Sequence, residues 1–487
     1  MPGGRRAALT SLAVMAAAFP IVLVATGQAG AGVHTVGATR SAIRAGGTWE
    51  TAREVPGMAA LSRRGVAQIN SVSCSSPGNC SAGGSYGGSP GTPTFGQPFV
   101  VSEVNGVWHR AIPVPGVRAL NTRKNGFISS VSCTRPGDCS AGGRYVGPRG
   151  ARPFVVDEVN GIWRKAITLS VSGVGDVEVS ALACGSPGNC SAGGRTGSGG
   201  TTKGLDGTFV VNEVHGAWRK PVVIPGKLTF IYGGWVQSMA CPTAGNCTAG
   251  GWYLDGADQF RAFVVSKVNG RWRNYITVPG TSPNHYGSQV ASLSCPRPGD
   301  CTVAGNHDYA DGFLASEVNG TWHKARSIPG LANFHTSEQQ VTALSCRLPG
   351  DCSVGGWYHD SQGKTHAFVV SEVNGTWHNA IDVPGMHGLD PSGQGLLTAL
   401  SCARPGDCSA GGYDYSAPYS RAFVVNEVNG AWHDAVKVPG ISALRPPGVS
   451  QVTALSCAGP GHCSAGGYYA DTIFGRQSGR VFVVNER

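Results

Sequence analysis

Residues 397–440 read LTALSC-ARPGD-CSAGGYDYSAPYSR-AFVVNEVNG-AWHDAVKVPG, and this stretch recurs along the chain with small substitutions. Four short runs of β-forming residues alternate in it with two turn signals, Pro-Gly between the cysteines and Asn-Gly before the tryptophan strand. Asn-Gly pairs and short glycine-containing turns join antiparallel strands as hairpins. One copy therefore predicts four short antiparallel strands.

The cysteines set the period of the repeat. Sixteen of them form eight pairs with five residues between partners, and the first members lie 51 to 59 residues apart. Because a five-residue turn brings the two partners onto neighbouring strands, we predict eight local disulfides. Zinc is the alternative, but separated two-thiol sites without recurring histidines make poor tetrahedral sites. The predicted pairs are Cys74 and Cys80, Cys133 and Cys139, Cys184 and Cys190, Cys241 and Cys247, Cys295 and Cys301, Cys346 and Cys352, Cys402 and Cys408, and Cys457 and Cys463.

The two ends of the repeat region complete each other. The last copy stops at Arg487 without its tryptophan strand, whereas residues 47–57 supply an isolated one, from Gly47-Thr48-Trp49 to Val55-Pro56-Gly57. Four-stranded repeats of this period are typical of propeller blades. We therefore predict an all-β fold over residues 46–487, an eight-bladed β-propeller of four-stranded antiparallel blades, closed by an N-terminal strand that completes the last blade.

The first residues are typical of an export signal. Arg5 and Arg6 precede an apolar run over residues 7–25, and Ala29-Gly30-Ala31 is a small-residue cleavage site. We predict a signal peptide over 1–31, a tail over 32–45, a secreted protein and no stable membrane span after cleavage; an uncleaved anchor is the alternative. Removing the signal lowers the formal net charge from +10 to about +8. The sequence has neither a dense Lys/Arg block nor an aromatic-basic module, which argues against nucleic-acid binding.

Several recurring residues have a structural interpretation. A tryptophan stands at the same place in all eight units, as core anchors between blades would. The next residue varies between His109, Arg164 and Glu50, which suits a solvated position. The glutamate of the third strand is replaced by Lys267 in one copy, so a structural role fits it better than a catalytic one.

The motifs Ser-Cys-x5-Cys-Ser-Ala-Gly-Gly and Val-Asn-Gly-x-Trp resemble those of Cys-x5-Cys propeller repeat proteins exported by actinobacteria. The stretch 366–385 is also similar to the extracellular HAF repeat, and 371–377 is loosely similar to the sialidase Asp box. The Asp-box pattern needs an aspartate and one more residue before the tryptophan. The resemblance therefore implies a propeller fold and carries no sialidase activity.

A ligand site is expected where the loops vary. In a propeller, the turns inside the first hairpin and before the tryptophan strand open on one face, and here they are short and constant. The other two connections vary in length and chemistry and open on the opposite face, which we call the variable-loop face. Gln68, Glu178, Gln289, Gln340 and Gln451 are predicted to form a polar collar at its channel mouth. The candidate ligand-binding residues on this face are Trp252, Tyr253, Tyr309, Trp357, Tyr358, Tyr413, Tyr415 and Tyr468; the alternative is that these rings cap the blade edges.

Catalytic signals are weak throughout the sequence. It contains no HExxH, GxSxG or Walker lysine motif, and the first strands carry neither a carboxylate pair nor an arginine cluster. Acids such as Asp255, Asp258, Asp311 and Asp360 lack the spacing of a calcium loop. We predict no catalytic residue, metal or cofactor, and a secreted recognition or scaffold protein that binds a glycan or an extracellular protein. A polysaccharide hydrolase or lyase and a structural envelope protein are the alternatives.

Overall fold

The computed structural model describes residues 47–63, 65–88, 96–171, 176–197, 207–226, 233–281, 287–307, 311–334, 338–415, 419–444, 448–470 and 479–487. The predicted signal peptide and the whole of the predicted tail thus lie outside the described residues. In the described part of the chain, no helix is long and apolar enough to cross a bilayer.

Eight antiparallel sheets, which we number as blades 1 to 8, account for almost all of the secondary structure. Blade 1 comprises Val66–Ser76, Asn79–Gly88, Gln97–Val104, Val107–Trp108 and Ile112–Pro113. Blade 2 comprises Phe127–Arg135, Asp138–Gly147, Gly150–Val159, Ile162–Trp163 and Ile167–Thr168. Blade 3 comprises Val177–Ser186, Asn189–Thr196, Thr208–Val214 and Ala217–Trp218. Blade 4 comprises Gly234–Thr243, Asn246–Leu254, Phe260–Val268, Arg271–Trp272 and Ile276–Thr277.

The second half of the ring repeats this order. Blade 5 comprises Ser288–Arg297, Asp300–His307, Asp311–Val318, Thr321–Trp322 and Arg326–Ser327. Blade 6 comprises Glu338–Leu348, Asp351–His359, Thr365–Val373, Thr376–Trp377 and Ile381–Asp382. Blade 7 comprises Gly395–Arg404, Asp407–Asp414, Arg421–Val428, Ala431–Trp432 and Val436–Lys437. Blade 8 comprises Val449–Gly459, His462–Ala470, Gly479–Asn485 and Arg53–Glu54. Short helical turns span Met58–Leu61, Leu331–Phe334, Met386–Leu389 and Ile441–Leu444.

The ring closes as predicted. The first strand of blade 1 packs on that of blade 8 as well as on that of blade 2. The N-terminal strand completes blade 8, with Arg53 opposite Val483 and Glu54 opposite Phe482. The Thr48 N–H donates to the Arg487 carbonyl at 2.7 Å. The eight-bladed propeller and its closure by the N-terminal strand are therefore confirmed.

In each of blades 1 to 7, hydrogen bonds join the turn between the two cysteines to the turn before the tryptophan strand. In blades 1 to 7, the Asn or His of the turn before the tryptophan strand has φ between 48° and 52°, and the following glycine has φ between 76° and 83°. Positive φ at both central residues is the two-residue hairpin turn that Asn-Gly favours. In blade 1 the Gly106 N–H donates to the Gly78 carbonyl at 2.8 Å, and the Asn105 N–H to Asn79 Oδ1 at 3.2 Å. The constancy of these turns thus has a structural cause.

The eight predicted disulfides are all present, each between cysteines six positions apart, and the described residues contain no free cysteine. In the chain-entropy model, a loop of this size is worth on the order of 2 kcal/mol per disulfide. One fully buried phenylalanine of the third strand centres the core of each blade. These residues are Phe99, Phe154, Phe209, Phe263, Phe313, Phe368, Phe423 and Phe482.

The repeated tryptophans lie at the seams between blades. The Nε1–H of Trp163 donates to Ser102 Oγ of the preceding blade at 3.0 Å. Ser102 Oγ in turn donates to a carboxylate oxygen of Glu158 at 2.7 Å, and Ser81 Oγ donates to the other at 3.1 Å. The third-strand glutamate is thus a buried acceptor between two blades, which agrees with the structural role that we predicted.

The outer strand differs from the prediction of one continuous strand. In most blades it is two short segments, as in Val107–Trp108 and Ile112–Pro113. The interruption has a physical cause, because the Ala111 N–H turns out of its own sheet and donates to the Pro56 carbonyl of the preceding blade at 2.8 Å.

Candidate functional site

A Gly-Gly pair in the second strand, which is Ala304-Gly305 in blade 5, sets the geometry of the variable-loop face. A Cβ at Gly84 would come within 1.8 Å of the Gln68 carbonyl oxygen, and one at Gly83 would meet Ile128 of the next blade at 2.6 Å. Only glycine permits the approach to the carbonyl oxygen, and this second position is glycine in all eight blades. The two residues that follow then diverge to opposite sides of the blade, because side chains alternate along a strand.

The first residue after Gly-Gly faces the next blade at the channel mouth, and we call this the rim position. In blade 3, Arg195 lies over the ring of Trp235 in blade 4, and in blade 5 Asn306 bonds Val341 of blade 6. The rim residues are Ser85, Arg144, Arg195, Trp252, Asn306, Trp357, Tyr413 and Tyr468.

The second residue after Gly-Gly faces the preceding blade and belongs to the core. The predicted ligand residues Tyr253 and Tyr358 are of this kind, with exposed fractions of 3% and 5%. The Tyr253 hydroxyl lies 2.7 Å from Thr277 Oγ1, and the Tyr358 hydroxyl donates to Asp382 at 2.7 Å. Burial raises the pKa of both phenols. The structure thus places these two rings in the seams between blades.

Four more of the predicted rings lie at this face, on blades 6, 7 and 8. Tyr413 and Tyr415 contact each other across blade 7 with ring centroids 5.4 Å apart, and Tyr415 is 40% exposed. Tyr468 lies half-buried at the rim of blade 8, where burial raises its pKa to about 12. Trp357 is buried and packs beside His359 at 4.9 Å. Tyr309 lies outside the described residues.

Trp252 belongs to a radial row of three rings across blade 4, which we call the aromatic strip: Trp235, Trp252 and Phe260. These residues lie on the first, second and third strands. The centroid of Trp252 is 6.3 Å from that of Trp235 and 4.8 Å from that of Phe260, both in edge-to-face arrangements. Both tryptophans are partly exposed and Phe260 is 39% exposed, so solvent reaches all three residues.

A compact ionic cluster borders the aromatic strip. Arg195 approaches Asp176 at 3.3 Å and Glu178 at 3.2 Å, while Arg144 approaches the same two carboxylates at 2.9 and 3.6 Å. Burial raises the pKa of Glu178, although both arginines oppose this shift. The guanidinium of Arg195 lies 4.5 Å from the centroid of Trp235, a cation–π contact. The cluster therefore fixes Arg195 beside the aromatic strip.

Sequence reasoning found Trp252 but missed Trp235, Phe260 and both arginines. The missed signal is positional: Arg144 and Arg195 stand at the rim position, where four other repeats have Trp or Tyr. Aligning the repeats on Gly-Gly would have exposed it. Of the predicted collar, Glu178 belongs to the ionic cluster, and Gln68, Gln289, Gln340 and Gln451 lie within the first strands rather than before them.

The constant-turn face carries two clefts between blades. One of about 440 Å³ lies between blades 4 and 5 and is lined by Lys267, Arg273, Glu317 and Trp322 among others. Burial, and secondarily the charge of Asp300, raises the pKa of Glu317 to about 7. The other, of about 300 Å³, lies at the closure seam between blades 7 and 8. Both are local openings of the seam that every blade repeats.

Two of the acids considered for calcium, Asp255 and Asp360, accept hydrogen bonds within their own loops. Asp255 accepts hydrogen bonds from the backbone N–H groups of Ala257 and Gln259 and from Arg261. Asp360 accepts in the same way from the N–H groups two and four residues later. These bonds hold tight loops. Within the described ranges, no three His, Cys, Asp or Glu side chains are grouped as a metal site requires.

Comparison with known proteins yields similarities of architecture only. No protein-family model matches the chain, and neither does any curated protein. Among solved structures, the chain is similar to YCF48 from Cyanidioschyzon merolae (12% identity, 74% of this chain and 96% of that one, TM-score 0.39). It is also similar to a GH74 xyloglucanase from Xanthomonas campestris (10%, 88% and 61%, 0.47) and to a Trypanosoma rangeli sialidase (12%, 78% and 55%, 0.37). Similarities this low carry no argument about function.

Proposed function

We propose that this protein is an exported, non-catalytic binding module that holds an extracellular glycan on its variable-loop face, at the aromatic strip of blade 4. One observation carries the proposal: three partly exposed rings in a radial row, with a fixed guanidinium at the inner end. The C–H faces of a pyranose pack on aromatic rings, and its hydroxyls accept hydrogen bonds from a guanidinium. The row thus offers both kinds of contact that a sugar needs.

Export is part of the proposal. Eight disulfides are typical of proteins that fold in an oxidising compartment. The predicted signal over residues 1–31 and the resemblance to exported actinobacterial repeat proteins agree with this. N-terminal sequencing of the protein recovered from the medium should begin at Gly32.

A glycan array followed by calorimetry on the selected glycan tests the proposal. Trp252→Ala should weaken binding about tenfold, since it removes the central ring of the row. Tyr415→Ala is the matched control, because Tyr415 is an exposed ring on the same face with an exposed fraction close to that of Phe260. It should leave the affinity unchanged. Equal losses in the two variants, or a wild-type protein that binds only protein partners, would contradict the proposal.

A polysaccharide hydrolase is the second candidate, and the ionic cluster is the observation that favours it. Asp176 and Glu178 share both arginines, so two carboxylates do converge near the channel mouth. Glycosidases need one free carboxyl as acid and another as base or nucleophile. Here both carboxylates have arginine partners, which favours a positioning role. We expect no release of reducing ends from the bound glycan; release that Glu178→Gln abolishes would support the hydrolase.

A further inference from the structure

The outer strands of blades 1 to 5 carry basic residues and no acidic one. Residues 107–113, 162–168, 217–223, 271–277 and 321–327 contain nine lysines and arginines and neither aspartate nor glutamate. Blades 2 and 3 each contribute an Arg-Lys pair directly after the tryptophan, Arg164-Lys165 and Arg219-Lys220. We call these nine side chains the basic arc, because the five blades are consecutive in the ring.

Taken together, the outer strands of the other three blades carry a net negative charge. The matching segments 376–382, 431–437 and 48–54 contain four acidic residues and two basic ones. Asp434 of blade 7 occupies the place that Lys165 has in blade 2. The charge of the outer strands is therefore asymmetric around the ring.

The basic arc is available to solvent. All nine side chains belong to exposed residues. Among described carboxylates, only Glu372 comes within 4 Å of one of them, 3.9 Å from Arg326. The stem of Lys165 lies against the preceding blade, since a Cβ at Gly116 would come within 2.7 Å of its Cγ. Lys165 therefore lies at the seam between blades 1 and 2, and the nine cations follow one another along the circumference of the ring.

Protection of sheet edges does not explain this distribution. Charged side chains on an outer strand prevent pairing with other sheets. Blades 6 to 8 carry Asp382, Asp434 and Glu50 on their outer segments, where they place charge at the edge as well. Edge protection therefore does not require one sign on five consecutive blades.

We propose that the basic arc binds a linear anionic polysaccharide that runs along the circumference of blades 1 to 5. Carboxylate or sulfate groups along such a chain complement a row of cations of which only Arg326 has a carboxylate within 4 Å among the described residues. Exposed aliphatic side chains lie between the cations, with Val107 62% and Ile162 58% exposed, and give sugar rings an apolar contact. Single-stranded nucleic acids instead use aromatic stacking, and the outer-strand tryptophans are half-buried or buried. The observations therefore favour a glycan.

Binding to immobilised polymers at several salt concentrations tests this proposal. The probes are polygalacturonate, which is carboxylated, heparin, which is sulfated, and neutral dextran. The arc variant carries Arg164→Gln, Lys165→Gln, Arg219→Gln and Lys220→Gln. The control variant carries Arg118→Gln, Arg123→Gln, Arg149→Gln and Arg297→Gln, which removes the same charge from exposed residues off the outer strands.

We expect the wild type to bind at least one charged glycan and not dextran. At about 0.15 M salt the arc variant should bind that glycan about tenfold more weakly, with a shallower salt dependence, and the control within about twofold of wild type. Preference for polygalacturonate or heparin identifies the anionic group.

Equal losses in both variants would overturn the proposal, because net charge alone would then account for binding. Tighter binding to polyphosphate or single-stranded DNA than to either glycan would also overturn it. Trp252→Ala should leave this binding intact, so the two proposals fail independently.

Discussion

One substitution within the repeat changes the chemistry of a seam. Ser or Asn precedes the third-strand glutamate in most copies, but blade 2 has Asp157 there. Asp157 accepts hydrogen bonds from Ser140 and from Trp218 Nε1, so its carboxylate lies at the seam with blade 3. Burial, and then the charge of Asp157, raises the pKa of Glu213 to about 8. One oxygen of Glu213 has no hydrogen-bond partner among the described residues.

Glu213 therefore makes stability depend on pH. Its folded pKa lies above the ordinary value of 4.5, so its contribution is fully present below about pH 4.5 and is lost as the pH rises through about 8. Glu213→Gln removes this titration. We expect the variant to be more stable than wild type at pH 9, by on the order of 2 kcal/mol, and the difference to shrink towards pH 5. Denaturant unfolding at each pH measures it.

Glu427→Gln is the matched control. Burial raises the pKa of Glu427, but its carboxylate accepts hydrogen bonds from Ser371 at 2.7 Å and Ser353 at 3.3 Å, which oppose this shift. Replacing it should give no comparable gain at pH 9. If both variants follow the same pH curve, the unusual titration does not belong to the Asp157–Glu213 pair. Sequence reasoning predicted a structural glutamate here but not its charge state, because the two residues belong to different repeats and meet only in the folded ring.

The first strand of each blade is a sheet edge that lines the channel. Side chains of the neighbouring blade form hydrogen bonds with backbone groups of this edge. A bulge in each blade projects one residue towards the next blade. Thr398 Oγ1 lies 2.6 Å from the Val452 carbonyl oxygen, and Thr453 Oγ1 lies 2.7 Å from that of Ile69. At the bulge of blade 4, Oε1 of Gln237 is buried without a hydrogen-bond partner among the described residues.

Two substitutions with opposite expected effects on stability test these hydrogen bonds between the first strands of neighbouring blades. Thr398→Val keeps the shape and removes the donor, so it should lower the free energy of unfolding by about 1 kcal/mol. Gln237→Thr supplies a hydroxyl at the equivalent place in blade 4 and should raise it by a similar amount. Chemical denaturation of both variants measures the effects. A Thr398→Val variant as stable as wild type would show that the bulges carry no stabilising bond, and a Gln237→Thr variant without any gain would show that blade 4 does not lack one.

Local pattern predicted the hairpins and the disulfides because their determinants lie within one repeat. The split of the outer strand was not predictable in this way, since the bond from Ala111 crosses to Pro56 of another blade. In the candidate site, too, the features determined within one repeat were predictable and those that depend on contacts between blades were not. Trp252 was predicted from its loop, whereas the contact of Arg195 with Trp235 joins two blades. Strand alternation alone could have separated Trp252 from the buried Tyr253.

Properties of the whole ring arise only on closure. The basic arc has only one or two cations per repeat, so the sequence shows no dense basic block, and the ring arranges them in one row. The argument from sequence against nucleic-acid binding therefore rested on the absence of local basic clusters and did not address a row of cations built by the ring.

Closure itself gives the last prediction. The N-terminal strand holds blade 8 through Glu54, which accepts hydrogen bonds from Arg480 at 2.9 Å and from the Tyr469 hydroxyl at 3.0 Å. A chain that begins at Met58 lacks this strand and exposes the seam beside Phe482, so it should unfold at a lower temperature and aggregate. Moving residues 47–57 to follow Arg487, with one inserted asparagine, rebuilds the Asn-Gly turn of the other blades. This permuted chain should melt within a few degrees of wild type, because every contact of the ring is restored. Thermal unfolding of the wild-type, truncated and permuted chains measures the effect. If the permuted chain is no more stable than the truncated one, closure depends on something other than this strand.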